Sequence, residues 1–105
     1  MLNKKQFYIN GNWVDPVNPN DLDVINPSTE EVCAVISLGS KEDTNKAVKA
    51  AKSAFATWKD TSKKERIDLL EKLLEIYKKR SGEMADAISL EMGAPMDWST
   101  DVQTA

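Results

Sequence analysis

The stretch that decides the fold is residues 32–58, which read VCAVISLGSKEDTNKAVKAAKSAFATW. It opens with consecutive apolar residues, a pattern typical of a strand covered on both faces. After Gly39, four apolar residues recur at helical spacing: Ala47, Ala51, Phe55 and Trp58. Ser40 is a suitable N-cap, and the acidic residues that follow it place negative charge in the first helical turn. The stretch therefore predicts a strand over 32–38 that passes into a helix from about Lys41 to Lys59.

Two β-hairpins are predicted upstream of this helix. Two β-prone runs, residues 7–9 and 13–14, flank Asn10-Gly11, the dipeptide that most strongly favours a type I′ turn. Residues 15–21 contain two prolines, each of which removes a backbone donor, so they form a loop. Residues 22–25 then read as a strand that pairs with the strand over 32–38, across a turn around Pro27 to Glu30.

A helix with a wide apolar face is predicted from Ser62 to Arg80. Ser62 and Glu65 form a capping box at its start. Its apolar residues fall in two adjacent rows, Ile67-Leu70-Leu74-Tyr77 and Leu69-Leu73-Ile76. Neighbouring helices of this chain can cover the first row, whereas the second row has no obvious partner. This predicts a missing neighbour for the second row.

Two further helices are predicted after residue 80. Ser81 is a candidate N-cap for the first, which Gly93 and Pro95 end as a C′ glycine and a stop proline. The second begins near residue 96 or 97 and is expected to be still running at the last residue. A helix without a stop signal suggests that the chain is a piece of something longer.

The length, composition and charge of the chain exclude several classes of protein and of partner. With 105 residues, 41% of them hydrophobic and 30% charged, the chain fits at most one compact globular unit. The net charge of −3 disfavours nucleic acid and anionic lipid as partners. The longest apolar run is far shorter than the ~20 residues of a membrane span, and no apolar segment follows the first lysines, so a cytoplasmic protein is expected.

The residue types present exclude several kinds of site. The chain has no histidine, which excludes a Ser-His-Asp triad and a His-ligated zinc within it, and one cysteine, which excludes an internal disulfide. Cys33 lies inside an apolar strand, so a structural role is predicted for it rather than a nucleophilic one. Glu30 and Glu31 should diverge on an extended backbone and act as turn charges. The four glycines fit no phosphate-binding pattern. We therefore assign no catalytic, cofactor-binding or metal-binding residue.

Four segments, in their order along the chain, resemble the N-terminus of NAD(P)-dependent aldehyde dehydrogenases. They are Phe7 to Val14 (FYINGNWV), Val24 to Val32 (VINPSTEEV), Asp43 with Ala47 to Phe55 (AVKAAKSAF) and Trp58, and Glu91 to Pro95 (EMGAP). The last is similar to the family's Glu-x-Gly-Lys-Pro element, with Ala94 in place of the commoner lysine. The resemblance covers residues 6 to 105.

The resemblance implies an α/β fold, with two hairpins and three to four helices, that forms the incomplete leading part of a cofactor-binding domain over residues 1–105. In such enzymes a cysteine thiolate attacks the aldehyde, the thiohemiacetal passes hydride to NAD or NADP, and a glutamate-activated water releases the acid. The resemblance places those groups, and most oligomerisation parts, beyond Ala105, and Cys33 does not match the catalytic position. The chain alone is therefore expected to be inactive and to bind no cofactor. In some members the backbone carbonyl at the Ile25 corner binds a monovalent cation.

The partners implied by the resemblance are the remainder of the parent enzyme and a small-molecule aldehyde, with no nucleic acid or membrane. The parent is expected to be a homodimer or homotetramer. An alternative of another class stays open: a stand-alone α+β interaction module that docks on a partner protein through its broad helical face.

Overall fold

A computed structural model describes all of residues 1–105. They form two compact units, so the expectation of at most one unit from the length is wrong. The first unit comprises residues 1–24 and 32–60, and the second comprises residues 25–31 and 61–105. The fold class is α/β, as the resemblance implies.

The first hairpin is confirmed in the first unit. Strand β2 (Phe7–Ile9) pairs antiparallel with β3 (Asn12–Val14). Asn10 and Gly11 both have positive φ, 53° and 77°, as a type I′ turn requires. The turn residues alone therefore set this register.

The second hairpin is also confirmed, but the sheet to which it belongs has an additional strand. Strand β4 (Asp21–Ile25) lies beside β5 (Val32–Ser37), and β1 (Leu2–Lys4) lies on the other side of β5. The Leu38 N–H donates to the Asn20 carbonyl at 2.8 Å, and the Asn26 N–H donates to the Glu31 carbonyl at 2.9 Å. Later residues of β4 thus pair with earlier residues of β5, so the two strands run antiparallel. Strand β1 runs parallel to β5, with Leu2 opposite Ala34. The sequence did not predict β1, because a short polar strand carries no periodic signal of its own.

Helix α1 (Lys41–Trp58) begins and ends close to its predicted bounds. Ser40 is the N-cap and forms a capping box with Asp43. In the second unit, Ser62 and Glu65 form the predicted capping box of helix α2 (Lys63–Met92).

Helix α2 is longer than predicted, because the two helices expected on either side of Ser81 are one continuous helix. The Ser81 hydroxyl donates to the Lys78 carbonyl at 3.2 Å instead of capping a new N-terminus. The predicted end is correct: Gly93 has φ 74° and its N–H donates to the Ser89 carbonyl at 3.0 Å. One serine and one glycine in a helix interior cost about 1 kcal/mol together, which tertiary packing readily offsets.

The last helical segment ends before the chain does, so its predicted continuation to Ala105 is wrong. Helix α3 (Met96–Trp98) passes into a π-helix (Ser99–Gln103), which the Thr104 N–H closes by donating to the Ser99 carbonyl at 3.1 Å. The Tyr77 hydroxyl donates to the Thr104 carbonyl at 3.0 Å and so joins this segment to α2.

The core of the chain is small. Its buried hydrophobic residues are Ala34 in β5 and Ala85 in α2. The expectation that neighbouring helices cover the first apolar row of α2 is wrong, because both rows are exposed in this chain. The three tryptophans are exposed as well, although Trp13 makes an edge-to-face contact with Tyr8 at 5.2 Å between ring centroids.

Candidate functional site

The turn over residues 26–31, in the second unit, is held by its own hydrogen bonds. The Asn26 N–H donates to the Glu31 carbonyl at 2.9 Å, and the Glu30 N–H donates to the Asn26 carbonyl at 2.8 Å. The Asn26 side-chain oxygen accepts from the Ser28 N–H at 2.8 Å. Glu30 has φ 61°, a left-handed conformation that is uncommon outside glycine. The turn therefore presents a defined surface rather than a loose connection.

The Gly93 backbone packs directly against this turn. A β-carbon at Gly93 would lie 2.9 Å from Cγ of Pro27 and 3.8 Å from the Ser28 hydroxyl oxygen. Only glycine allows this approach, and only glycine adopts φ 74° without strain. Two segments that the sequence analysis singled out separately, VINPSTEEV and EMGAP, therefore meet in space. The helix end was predictable from Gly93, but the contact with Pro27 was not.

In the first unit, the Asp43 carboxylate joins the loop before β4 to the start of α1. One carboxylate oxygen accepts from the Val17 N–H at 2.9 Å, and the other accepts from the Ser40 N–H at 2.9 Å and the Ser40 hydroxyl at 2.8 Å. These hydrogen bonds, first of all the one from Val17, lower the pKa of Asp43 below its usual 3.8. Three hydrogen bonds thus tie this carboxylate to the loop and to the start of α1, which is a structural role.

Cys33 lies in β5 with its thiol directed at the neighbouring strand. Its Sγ lies 3.3 Å from the Val24 carbonyl oxygen, to which it donates, and the residue is half-buried. The interpretation of Cys33 as structural stays a prediction. Glu30 and Glu31 are both exposed at the turn.

The four glycines of this chain lie in three kinds of surroundings: turns or helix ends, a contact with an aromatic ring, and a helix interior. Gly11 occupies the first hairpin turn, Gly93 is packed on Pro27, and a β-carbon at Gly39 would lie 3.7 Å from the Phe7 ring. Gly82 is inside α2. The absence of a cofactor-binding residue from this chain stays a prediction.

The remaining surface carries no cluster of acidic, cysteine or histidine side chains that could hold a metal ion. None of the helices has both the length and the apolar character needed to span a lipid bilayer. A groove of about 440 Å³ between the first hairpin and α1 is bordered by Lys46 and Lys49 and by Asp15 and Asp43. The charged residues that line it are of both signs.

Known proteins with similar sequences belong to one family. Residues 13–105 match the profile of the Aldehyde dehydrogenase family. A 3-succinoylsemialdehyde-pyridine dehydrogenase of a Pseudomonas species is 44% identical over 96 residues, which are 91% of this chain and 20% of that protein.

Two solved structures extend the agreement to the fold. A crystal structure of an aldehyde dehydrogenase from Bartonella henselae superposes with a TM-score of 0.98 and 63% identity, over 99% of this chain and 22% of that one. A mutant of aldehyde dehydrogenase C from Pseudomonas syringae, in complex with NAD+ and octanal, superposes with a TM-score of 0.93. It is 42% identical in sequence, over 95% of this chain and 21% of that one.

The chain thus spans about a fifth of the length of these proteins. Its elements correspond to the N-terminal part of aldehyde dehydrogenase structures. On its sequence and on its fold, the chain belongs to the aldehyde dehydrogenase family.

Proposed function

We propose that the chain is the leading, structural part of an enzyme that oxidises an aldehyde to a carboxylic acid with NAD+ or NADP+. The observation that carries this proposal is the match to the Bartonella henselae enzyme, which covers 99% of this chain but 22% of that enzyme. A segment that reproduces a fifth of an enzyme so closely is best explained as the same fifth of a similar enzyme. The NAD+ complex of the Pseudomonas syringae relative supports a nicotinamide cofactor for the parent.

The contribution of this segment to the parent is mechanical. In the second unit, the turn over 26–31 packs on the end of α2 through Gly93, and in the first unit Asp43 holds the loop before β4 against α1. The thiolate that would form the thiohemiacetal, and the groups that would bind the dinucleotide, belong to the remainder of the parent. The parent acts as a homodimer or homotetramer in the cytoplasm, and residues 1–105 are an incomplete part of its cofactor-binding domain. The segment alone is inactive.

A chimera tests this proposal. The chain replaces the matching segment of the Bartonella henselae aldehyde dehydrogenase, and NADH or NADPH formation is measured by absorbance with a panel of aliphatic and aromatic aldehydes. We expect a chimera that turns over aldehyde, and a Cys33→Ser chimera whose turnover is within about twofold of it, because the hydroxyl still donates to the Val24 carbonyl. The 105-residue chain alone should give no saturable NAD+ binding in calorimetry.

Two results would contradict the proposal. An inactive chimera would favour the second candidate, a stand-alone interaction module, which the exposed apolar face of α2 also supports. A thousandfold loss of turnover in a folded Cys33→Ser chimera would mean that Cys33 takes part in the chemistry.

A further inference from the structure

The tip of the first hairpin is an Asn-Gly pair that lies open to solvent. Asn10 and Gly11 are both exposed, and nothing lies within 4 Å of a β-carbon placed at Gly11. The Asn10 backbone carbonyl accepts from the Asn12 side-chain amide at 3.2 Å, whereas the side-chain amide of Asn10 has no hydrogen-bond partner. The pair is thus accessible to water, and no hydrogen bond restrains the Asn10 side chain.

Asn10 differs from every other asparagine of the chain in the residue that follows it, which is glycine at Asn10 alone. A side chain on the following residue hinders attack by that residue's backbone nitrogen on the asparagine side chain, and glycine has no side chain. Proline follows Asn18 and Asn26, and its backbone nitrogen carries no proton to lose. Asn10 is therefore the asparagine best suited to cyclise with its neighbour.

The hairpin has the freedom of movement that this attack needs. The turn must open transiently so that the Gly11 nitrogen reaches Cγ of Asn10. Strands β2 and β3 form a two-stranded sheet with three residues in each strand, and a two-stranded hairpin is marginally stable by itself. Its tip can therefore open locally at little cost in free energy.

We propose that Asn10 is a site of spontaneous deamidation through a succinimide. Hydroxide removes the proton from the Gly11 amide nitrogen, and this nitrogen attacks Cγ of Asn10. The new N–Cγ bond replaces the Cγ–Nδ2 bond, and Nδ2 leaves as ammonia after it takes a proton from water.

Water then opens the succinimide ring in one of two ways. Cleavage of the new N–Cγ bond gives aspartate at position 10. Cleavage of the original peptide C–N bond gives isoaspartate, whose main chain runs through Cβ and Cγ. The sum of the steps is the hydrolysis of an amide by water, with no change of oxidation state.

The isoaspartate product is incompatible with the hairpin. Its main chain is longer by one methylene group, so the two-residue turn no longer matches the pairing of Ile9 with Asn12. The former Asn10 backbone carbonyl becomes a carboxylate outside the main chain, so the hydrogen bond from Asn12 no longer closes the turn. Aspartate at position 10, in contrast, keeps a dipeptide that favours a type I′ turn. Isoaspartate formation therefore ends the pairing of β2 with β3.

The test incubates the 105-residue chain in mildly alkaline buffer and follows each asparagine by peptide mass spectrometry, in which electron-transfer fragmentation distinguishes isoaspartate from aspartate. We expect Asn10 to lose its amide at least about tenfold faster than any other asparagine. Its rate in the folded chain should be within about tenfold of its rate in urea, because the tip opens readily. Asn10→Gly is the matched control, since Gly-Gly also favours a type I′ turn but has no side-chain amide to lose.

NMR spectroscopy tests the structural consequence. The Tyr8 and Trp13 rings lie 5.2 Å apart on paired strands, so nuclear Overhauser effects between them report the pairing. These effects should persist in the Asn10→Gly and Asn10→Asp variants. They should disappear in the isoaspartate form, separated by chromatography.

Three results would overturn the proposal. The first is that another asparagine of the chain deamidates before Asn10. The second is a folded-state rate more than about tenfold below the rate in urea, which would mean that the fold protects the turn. The third is an isoaspartate form that retains the contact between the Tyr8 and Trp13 rings.

Discussion

At the scale of single residues, Gly93 is subject to two requirements at once. Its φ of 74° is strained for any other residue, and an added β-carbon would lie 2.9 Å from Cγ of Pro27. We expect Gly93→Ala to lower the free energy of unfolding by about 1 to 3 kcal/mol, from backbone strain together with displacement of the proline ring. Urea denaturation of the chain measures this.

Gly82 is the matched control. It lies inside α2, and neither a positive φ nor a close neighbour restricts it to glycine. Nothing lies within 4 Å of a β-carbon placed there. Gly82→Ala should raise the free energy of unfolding by about 0.5 to 1 kcal/mol, since alanine has the higher helix propensity. If Gly93→Ala were as stabilising as Gly82→Ala, neither the positive φ of Gly93 nor its contact with Pro27 would constrain that position.

Ser37 has a buried hydroxyl without a hydrogen-bond partner. Leaving a hydroxyl desolvated and unpaired is unfavourable, so Ser37→Ala should leave stability unchanged or raise it by up to about 1 kcal/mol. Ser40→Ala, which removes the N-cap of α1, should instead cost about 1 kcal/mol. A comparable loss in both variants, measured by urea denaturation, would mean that the Ser37 hydroxyl is bonded in solution.

At the scale of elements, Asp43 makes the attachment of the loop before β4 to α1 dependent on pH. Its folded pKa lies below 3.8, the usual value, because Val17 and Ser40 donate to the ionised form. The ionised Asp43 carboxylate therefore stabilises the folded state fully above about pH 4. This stabilisation is lost as the pH falls through the folded pKa of Asp43. We expect the free energy of unfolding of Asp43→Asn to fall less steeply than that of the unaltered chain between about pH 5 and pH 2.

The control for this experiment is internal, because the other acidic groups, including the capping Glu65, are the same in both proteins. Parallel pH profiles would show that the Asp43 carboxylate is not preferentially stabilised in the folded state. Carbon NMR of the Asp43 carboxyl group provides a direct titration that does not depend on unfolding.

The elements also show which predictions from sequence succeed. The Asn10-Gly11 turn and the two capping boxes form through bonds between residues at most three positions apart, so their signals are local and the predictions were correct. The break predicted at Ser81 was wrong: α2 continues through Ser81 and Gly82, which disfavour a helix only weakly. Strand β1 was missed because its pairing with β5 joins distant parts of the chain.

At the scale of the whole molecule, the isolated chain exposes more apolar surface than a stable monomer of this size normally does. We therefore expect it to self-associate and to bind a hydrophobic dye. The Leu69→Asp/Leu73→Asp double variant should remain monomeric in sedimentation velocity, because two carboxylates in the second row oppose burial. A monomeric, cooperatively folded unaltered chain that binds no dye would instead favour the stand-alone module.

The sequence by itself determined the first hairpin turn, the helix caps at Ser40 and Ser62 and the helix end at Gly93, and, through four ordered segments, the resemblance to the family. The tertiary structure alone decided the contact of Gly93 with the turn at Pro27, the continuity of α2 and the exposure of both of its apolar rows. The physical reason is the distance along the chain between the residues that stabilise each feature. Turns and caps are stabilised within a few residues, whereas pairing of distant segments and coverage of an apolar face depend on what the whole chain brings together.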